Sequence, residues 1–353
     1  MANQLLIPSK PNKGWLYLLG WFLAATLVMG SIFYGGRTIL AIEHFPVRLV
    51  VYGFSTQELA FTQGIFPAFE SKWEAETGRD LIIDGLFGSS GTLAGQINLG
   101  APADVAIFSN ERHVSLLKSG QQIQMETQPV VISSTPIIIV TRPGNPKGIR
   151  GFADLEQPGL LLFHADPRTS GVGEWTILAE YGSALQDIGC PLLAEQQTIN
   201  IWRNVRLMVP SAQTAMSQFE MGVGDALVTN EQDARMALAR GAALEIVIPT
   251  NTIVAQHVAV IVDENVTPEQ RLVAEEFIQF ILSDSGQQIL KRYYHRSFDL
   301  EDNGFPKLNH SFTVEDLGGW SHAHEMLIST LWQEDIEPYL ILEPNSVIPS
   351  SGE

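Results

Sequence analysis

The sequence predicts an α/β protein built as two lobes with a hinge and an interlobe cleft, preceded by one N-terminal transmembrane helix. Three observations carry this. Short buried strands alternate with helix-patterned segments from residue 47 to 294, which implies parallel sheets. Strand-to-helix junctions at Gly88–Gly91 and Thr169–Gly171 are rich in Ser and Gly. Gly14 to Gly36 holds no charged residue and is long enough to cross a bilayer as a helix.

The chain has 353 residues, enough for a core in each of two lobes. Its formal net charge of −18 argues against a nucleic-acid partner, because a phosphate backbone needs clustered Lys and Arg. Cys190 is the only cysteine, so no intrachain disulfide and no cysteine zinc site can form.

The elements follow in order. Residues 1–13 read as a cytoplasmic N-terminus, 14–36 as a signal anchor and 37–46 as a tether. Lys10 and Lys13 lie before the apolar stretch and favour that orientation. A cleaved signal peptide is the rival; its apolar region would be shorter, and Ile39-Leu40-Ala41 is a poor cleavage site. Val47–Phe54 alternates as a first strand, and a helix runs from Gln57 to Thr77 with a break near Pro67. Leu81–Ile83 is a strand. Ala103–Phe108 is buried, and Glu111–Lys118 is a short helix. Val130–Val140 is an extended crossing segment, ended by the turn cluster Arg142–Gly148. Gly224–Thr229 and Val258–Val262 are strands; Pro268–Ser283 and Ser285–Tyr294 are helices. The predicted division is 47–135 with 253–343 as lobe 1, 136–252 as lobe 2, and 344–353 as a tail.

One stretch organises the rest: the apolar run Gly159–Phe163, then Asp166–Gly171, then a helix through Trp175 and Tyr181. Thr169 or Ser170 can cap that helix. Free N–H groups and the helix dipole together make an anion cradle. Ser90 and Gly91, and the helix start Ser211–Thr214, have the same character.

The ordered set of motifs resembles the sulfate/thiosulfate-binding proteins of bacterial ABC importers, a type II periplasmic-binding-protein family. The matching pieces are Phe69–Gly78 (FESKWEAETG), Gly88–Gly91, Ala103–Val105, Gly144–Gly148 with Asp154-Leu155 and Pro158-Gly159, Asp166–Gly171 (DPRTSG), Gly222–Asp225, Tyr293-Tyr294 and Gly318–Trp320. Gly88–Asp104 also looks like the related molybdate-binding proteins. The resemblance implies a binding protein that holds a small tetrahedral oxyanion with uncharged donors and delivers it to an ABC permease. It implies no cofactor, no catalysis and no metal, and a monomer at the periplasmic side of the inner membrane. By residue, it points to Ser90 and Gly91, and to Ser170 and Gly171. The departures from the family pattern are Phe54 at the first-strand turn, Val172 in place of a glycine, Asn230 in place of a tryptophan, and Ala212-Gln213-Thr214-Ala215 in place of Arg-Gly-Ala-Thr. Phe54 and Val172 keep a backbone N–H, and Asn230 keeps a side-chain donor. Thr214 is a further candidate donor. The alternative is a membrane-tethered sensor or interaction protein of the same fold with altered or lost oxyanion binding.

Other sites read poorly. His322 and His324 lack further ligands that spacing would place. Ser89 and Ser90 stand in no nucleophile elbow. Asp104 and Asp225 read as structural caps, and Trp175 as core. Arg168 precedes the turn and is expected to brace the loop. A site of neutral donors predicts sulfate affinity nearly flat from pH 5 to 8.

Overall fold

The computed structural model describes residues 21–31, 46–298 and 304–342. Residues 21–31 are helical, with Trp21, Phe22, Leu27 and Met29 exposed. Among the described residues no helix is long and apolar enough to cross a membrane. The predicted span 14–36 is covered only over residues 21–31. The rest of that span, residues 1–13, nearly all of the tether and the tail 344–353 lie outside the described residues.

Lobe 1 rests on three parallel strands: β1 (Val47–Phe54), β2 (Leu81–Gly88) and β3 (Val105–Phe108). Alternation along β1 sends Leu49 and Val51 to one layer and Tyr52 to the other. The first layer adds Phe61, Phe69, Trp73 and Phe277; the second adds Leu93, Ala106, Phe108 and Val260. The predicted first helix is interrupted as expected. A π-helical turn, Phe61–Ile65, precedes the helix Phe66–Thr77. Pro67 falls in the first turn of that helix, where a missing N–H does no harm.

Two long strands cross between the lobes: β4 (Val130–Thr141) and β9 (Asn251–Ile261). The first half of β4, to Pro136, pairs with β9; the second half, from Ile137, pairs with β7 (Ala226–Asn230). Pro136 brings no N–H to the point where the partner changes. Lobe 2 adds β5 (Leu162–Ala165), which runs parallel to β7 and to β6 (Val205–Val209), while β8 (Glu245–Val247) pairs with β4. Hydrogen bonding therefore runs unbroken through the order β2-β1-β3-β9-β4-β7-β5-β6. The lobes are distinguished by their separate apolar layers rather than by a gap in the sheet. In lobe 2 Ile137, Phe152, Trp175 and Trp202 form one layer; Ile138, Phe163 and Phe219 form the other.

One expectation is corrected. The segment from His310 onward was assigned with lobe 1. Instead Phe312, Val314, Leu327, Leu331 and Trp332 pack into the lobe 2 layer around Trp175 and Trp202. The strand β10 (His310–Phe312) pairs with the start of β9 beside it. The physical reason is the apolar face of the Gly171–Ile188 helix, which this segment covers.

Candidate functional site

The register brings the carboxyl ends of the parallel strands to facing edges. On lobe 1 these are Phe54, Gly88 and Phe108; on lobe 2 they are Ala165, Val209 and Asn230. Open α/β sheets bind ligands at such edges. Here the two edges touch. Gly91 N–H donates to Thr169 O across the cleft at 3.0 Å. The Ser89 hydroxyl donates to Pro210 O. Trp175 Nε1 donates to Ser109 O at 2.8 Å, and Gln232 Nε2 to Thr56 Oγ1 at 3.1 Å. These contacts hold the two edges together.

Four helices start at this region, with N-caps Ser89, Ser170, Ser211 and Asn230. Only Ser211 makes a side-chain cap bond, accepting Thr214 N–H at 3.1 Å. At the other three no side chain caps the first turn, whose N–H groups lack helical partners. The helix dipoles add partial positive charge at the same place.

Each residue singled out by sequence has a definite position. Ser90 is buried at a helix start, and its Oγ accepts Ser109 N–H at 3.1 Å, leaving the hydroxyl proton to donate. Ser170, Gly171 and Val172 are buried at the facing helix start. Asn230 is fully buried; its amide makes no hydrogen bond of good geometry, and its side chain lies within reach of the Asp233 carboxyl. Phe54 is buried with its ring 4.6 Å from that of His257. Two donor roles are corrected. Gly91 N–H is engaged by Thr169 O. Thr214 is exposed, and its N–H and hydroxyl both meet Ser211 Oγ. Ser211 and Thr214 form a cap with each other.

The charges nearby are already matched. Arg168 is tied to Asp166 at 2.6 Å and Glu337 at 3.1 Å, and its side chain is half exposed. It braces the loop, as expected. Arg112 and Asn110 reach from lobe 1 to Glu174 on lobe 2, at 2.6 and 2.8 Å. Burial pushes the Glu174 carboxyl up to about 7, against the pull of Arg112 and Asn110. The Asp233 carboxyl is likewise pushed up to about 7 by burial, despite the Thr229 hydroxyl at 3.1 Å. Sequence reading missed the Asn110–Arg112–Glu174 contact. Its only local signal was a buried-looking Glu174 one turn into an apolar helix.

A cavity of about 560 Å³ opens beside this region, between the turn after β1 and the helices Ala212–Glu220 and Glu231–Ala239. Its lining includes Ser55, Thr56, Glu58, Met216 and Arg240, and neither Ser90 nor Ser170. It is a rim of the cleft rather than the cradle. Among the described residues no cluster of three or more His, Cys, Asp or Glu could hold a metal ion. The hydroxyls of Ser89 and Ser90 bond backbone groups and no histidine or carboxylate. Asp104 accepts Val50 N–H and Asp225 accepts Leu161 N–H, both structural. The arrangement suits the capture of a small anion by neutral donors.

Comparison with known proteins points the same way. A sequence profile of the bacterial extracellular solute-binding proteins matches residues 60–296. A sulfate-binding protein of Synechococcus elongatus is 30% identical over 288 residues, 78% of this chain and 82% of that one. A sulfate-binding protein of Escherichia coli is 30% identical over 331 residues, 89% of this chain and 95% of that one. Among solved structures, the sulfate-binding protein SubI from Mycobacterium tuberculosis superposes with a TM-score of 0.72 at 23% identity, over 80% of this chain and 99% of that one.

Proposed function

The chain belongs to the bacterial extracellular solute-binding proteins, and we propose that it binds a small tetrahedral oxyanion, sulfate or thiosulfate, for import by an ABC permease. One observation carries the choice of ligand class. Three helix starts without side-chain caps, after Ser89, Ser170 and Asn230, stand at the facing lobe edges, and Ser90, Ser170 and Asn230 are all buried. A buried anion must have its oxygens satisfied, and these groups can do so without a cation. The proposed donors are the hydroxyls of Ser90 and Ser170, the N–H groups of Gly171 and Val172, and the Asn230 amide. Phe54 lies buried at the end of β1, on the lobe 1 edge. The lobes close over the anion by flexing about β4 and β9, the strands they share.

Calorimetry of the purified chain with sulfate, thiosulfate, molybdate and phosphate tests this. Saturable binding of a tetrahedral oxyanion is expected; heat with none of them refutes the reading.

The proposal extends to the N-terminus. The uncharged stretch Gly14–Gly36 anchors the protein at the outer face of the inner membrane, near the permease that it serves. Resistance of the native protein to alkaline extraction from membranes is the expected result. A mature protein beginning near Ile42 would show cleavage instead.

A further inference from the structure

Ser109 was singled out by no sequence motif; it follows the last residue of β3, between Phe108 and Asn110. Its backbone is pinned from both lobes. Its N–H donates to Ser90 Oγ at 3.1 Å within lobe 1. Its carbonyl accepts the Trp175 indole N–H at 2.8 Å from lobe 2. Its side chain lies against Gly171, the first residue of the facing helix. A Cβ on Gly171 would stand 2.8 Å from Ser109 Cβ and 3.2 Å from Ser109 Oγ. The hydroxyl is the one polar group left over. Ser109 is 1% exposed, and its Oγ has no hydrogen-bond partner.

Buried serine hydroxyls commonly bond a neighbouring carbonyl, and the Ser109 hydroxyl does not. This one is held at the N-terminus of the Gly171–Ile188 helix, whose first N–H groups have no side-chain cap. We propose that Ser109 is a ligand-contacting, specificity-determining residue, its hydroxyl donating to one oxygen of the bound oxyanion between Ser90 and Ser170. The inference rests on the oxyanion-binding reading above. Ser90 fixes the Ser109 backbone within lobe 1, and Trp175 completes the hold when the lobes meet, so little further freedom is lost in the closed form.

The experiment compares the full chain with its Ser109→Ala variant by calorimetry against sulfate, thiosulfate and phosphate, together with melting of the ligand-free proteins. The variant should melt at the wild-type temperature and bind the best-bound anion about tenfold more weakly, the effect of one hydrogen bond to a charged group. If the wild type binds an anion and the variant binds it equally well, the Ser109 contact is refuted and the oxyanion reading stands. If the variant loses binding only because it melts lower, Ser109 is structural and the inference also fails. If the wild type binds no anion, the reading itself falls, and the inference with it.

Discussion

Replacing Gly171 with alanine should block closure while leaving each lobe intact. Gly171 is the first residue of a helix and has ordinary helical backbone, so alanine suits the position and favours the helix by roughly 0.5–1 kcal/mol. The clash is with the other lobe. The new Cβ would sit 2.8 Å from Ser109 Cβ and 3.1 Å from Asn110 Nδ2. Carbon atoms prefer about 3.5–4.0 Å, so the lobes must part or Ser109 must shift. Ser109 is held by Ser90 and Trp175 and has little room to shift. Overpacking of this kind costs about 1–3 kcal/mol, and the cost falls on the closed form alone. Affinity should therefore drop roughly fivefold to a hundredfold. The assay is calorimetry with sulfate, paired with thermal unfolding of the ligand-free chain. Unchanged or slightly raised ligand-free stability with weakened binding is the expected pair. Wild-type affinity in Gly171→Ala would refute closure through this contact.

Further expectations follow from the same geometry. Ser170→Ala should weaken anion binding by about 1.5–3 kcal/mol, roughly tenfold to a hundredfold, whereas Arg168→Ala should lower the melting temperature and spare affinity; the opposite pattern in calorimetry would mean a salt-bridged anion. Affinity should not be flat with pH, contrary to the expectation from neutral donors alone. Burial holds Glu174 up to about 7 against its ordinary 4.5; where parting of the lobes returns this carboxyl to water, closure takes up a proton. That contribution is full below 4.5 and is lost as pH rises through about 7. Sulfate affinity should fall by roughly 40-fold between pH 5 and 7 and level off by about pH 8; Glu174→Gln should flatten the profile, and an equally steep profile in that variant would contradict the assignment. Stability carries the opposite sign, because His113 and His295 are held down to about 3 by burial and His257 well below 6.5. The unfolded chain binds those protons first, so the histidine contribution is present above pH 6.5 and lost as pH falls toward 3. Asp233, held up to about 7 by burial, offsets part of it. Melting temperature should rise from pH 5 to about 6.5, and a steady decline over that range would refute neutral burial of the histidines.

The parts legible in the sequence were those that obey local rules. The strands β3, β5 and β7 are continuous buried runs, and the Ser-Gly turns after β2 and β5 announce helix starts. The break near Pro67 was legible for the same reason. What failed was non-local. The fate of Gly91 N–H depends on Thr169, far along the chain and on the other lobe. Apolar spacing in the Phe312–Trp332 segment marks a buried face but not which lobe receives it; the segment packs on lobe 2. The helix Pro191–Trp202 was passed over because Leu192 and Leu193 are exposed while Ala194, Thr198, Ile201 and Trp202 are buried, which blurs its period. Thr214 was a different failure. Its spacing of three from Ser211 is a capping pattern, and the hydroxyls read as ligand donors were each other's partners. Ser109 carried no motif at all; only the pinning of its backbone by Ser90 and Trp175 exposes the spare hydroxyl.

The central claim is that neutral groups between the lobes hold the anion. Crystals grown with selenate, an analogue of sulfate whose selenium scatters anomalously, would locate the bound atom directly. One strong peak is predicted between the two lobes, with its oxygens within hydrogen-bond distance of Ser90, Ser170 and the Val172 N–H, and no arginine or lysine in contact. A peak bound instead to Arg168 or Arg240, or closed lobes with no anion between them, would contradict the account.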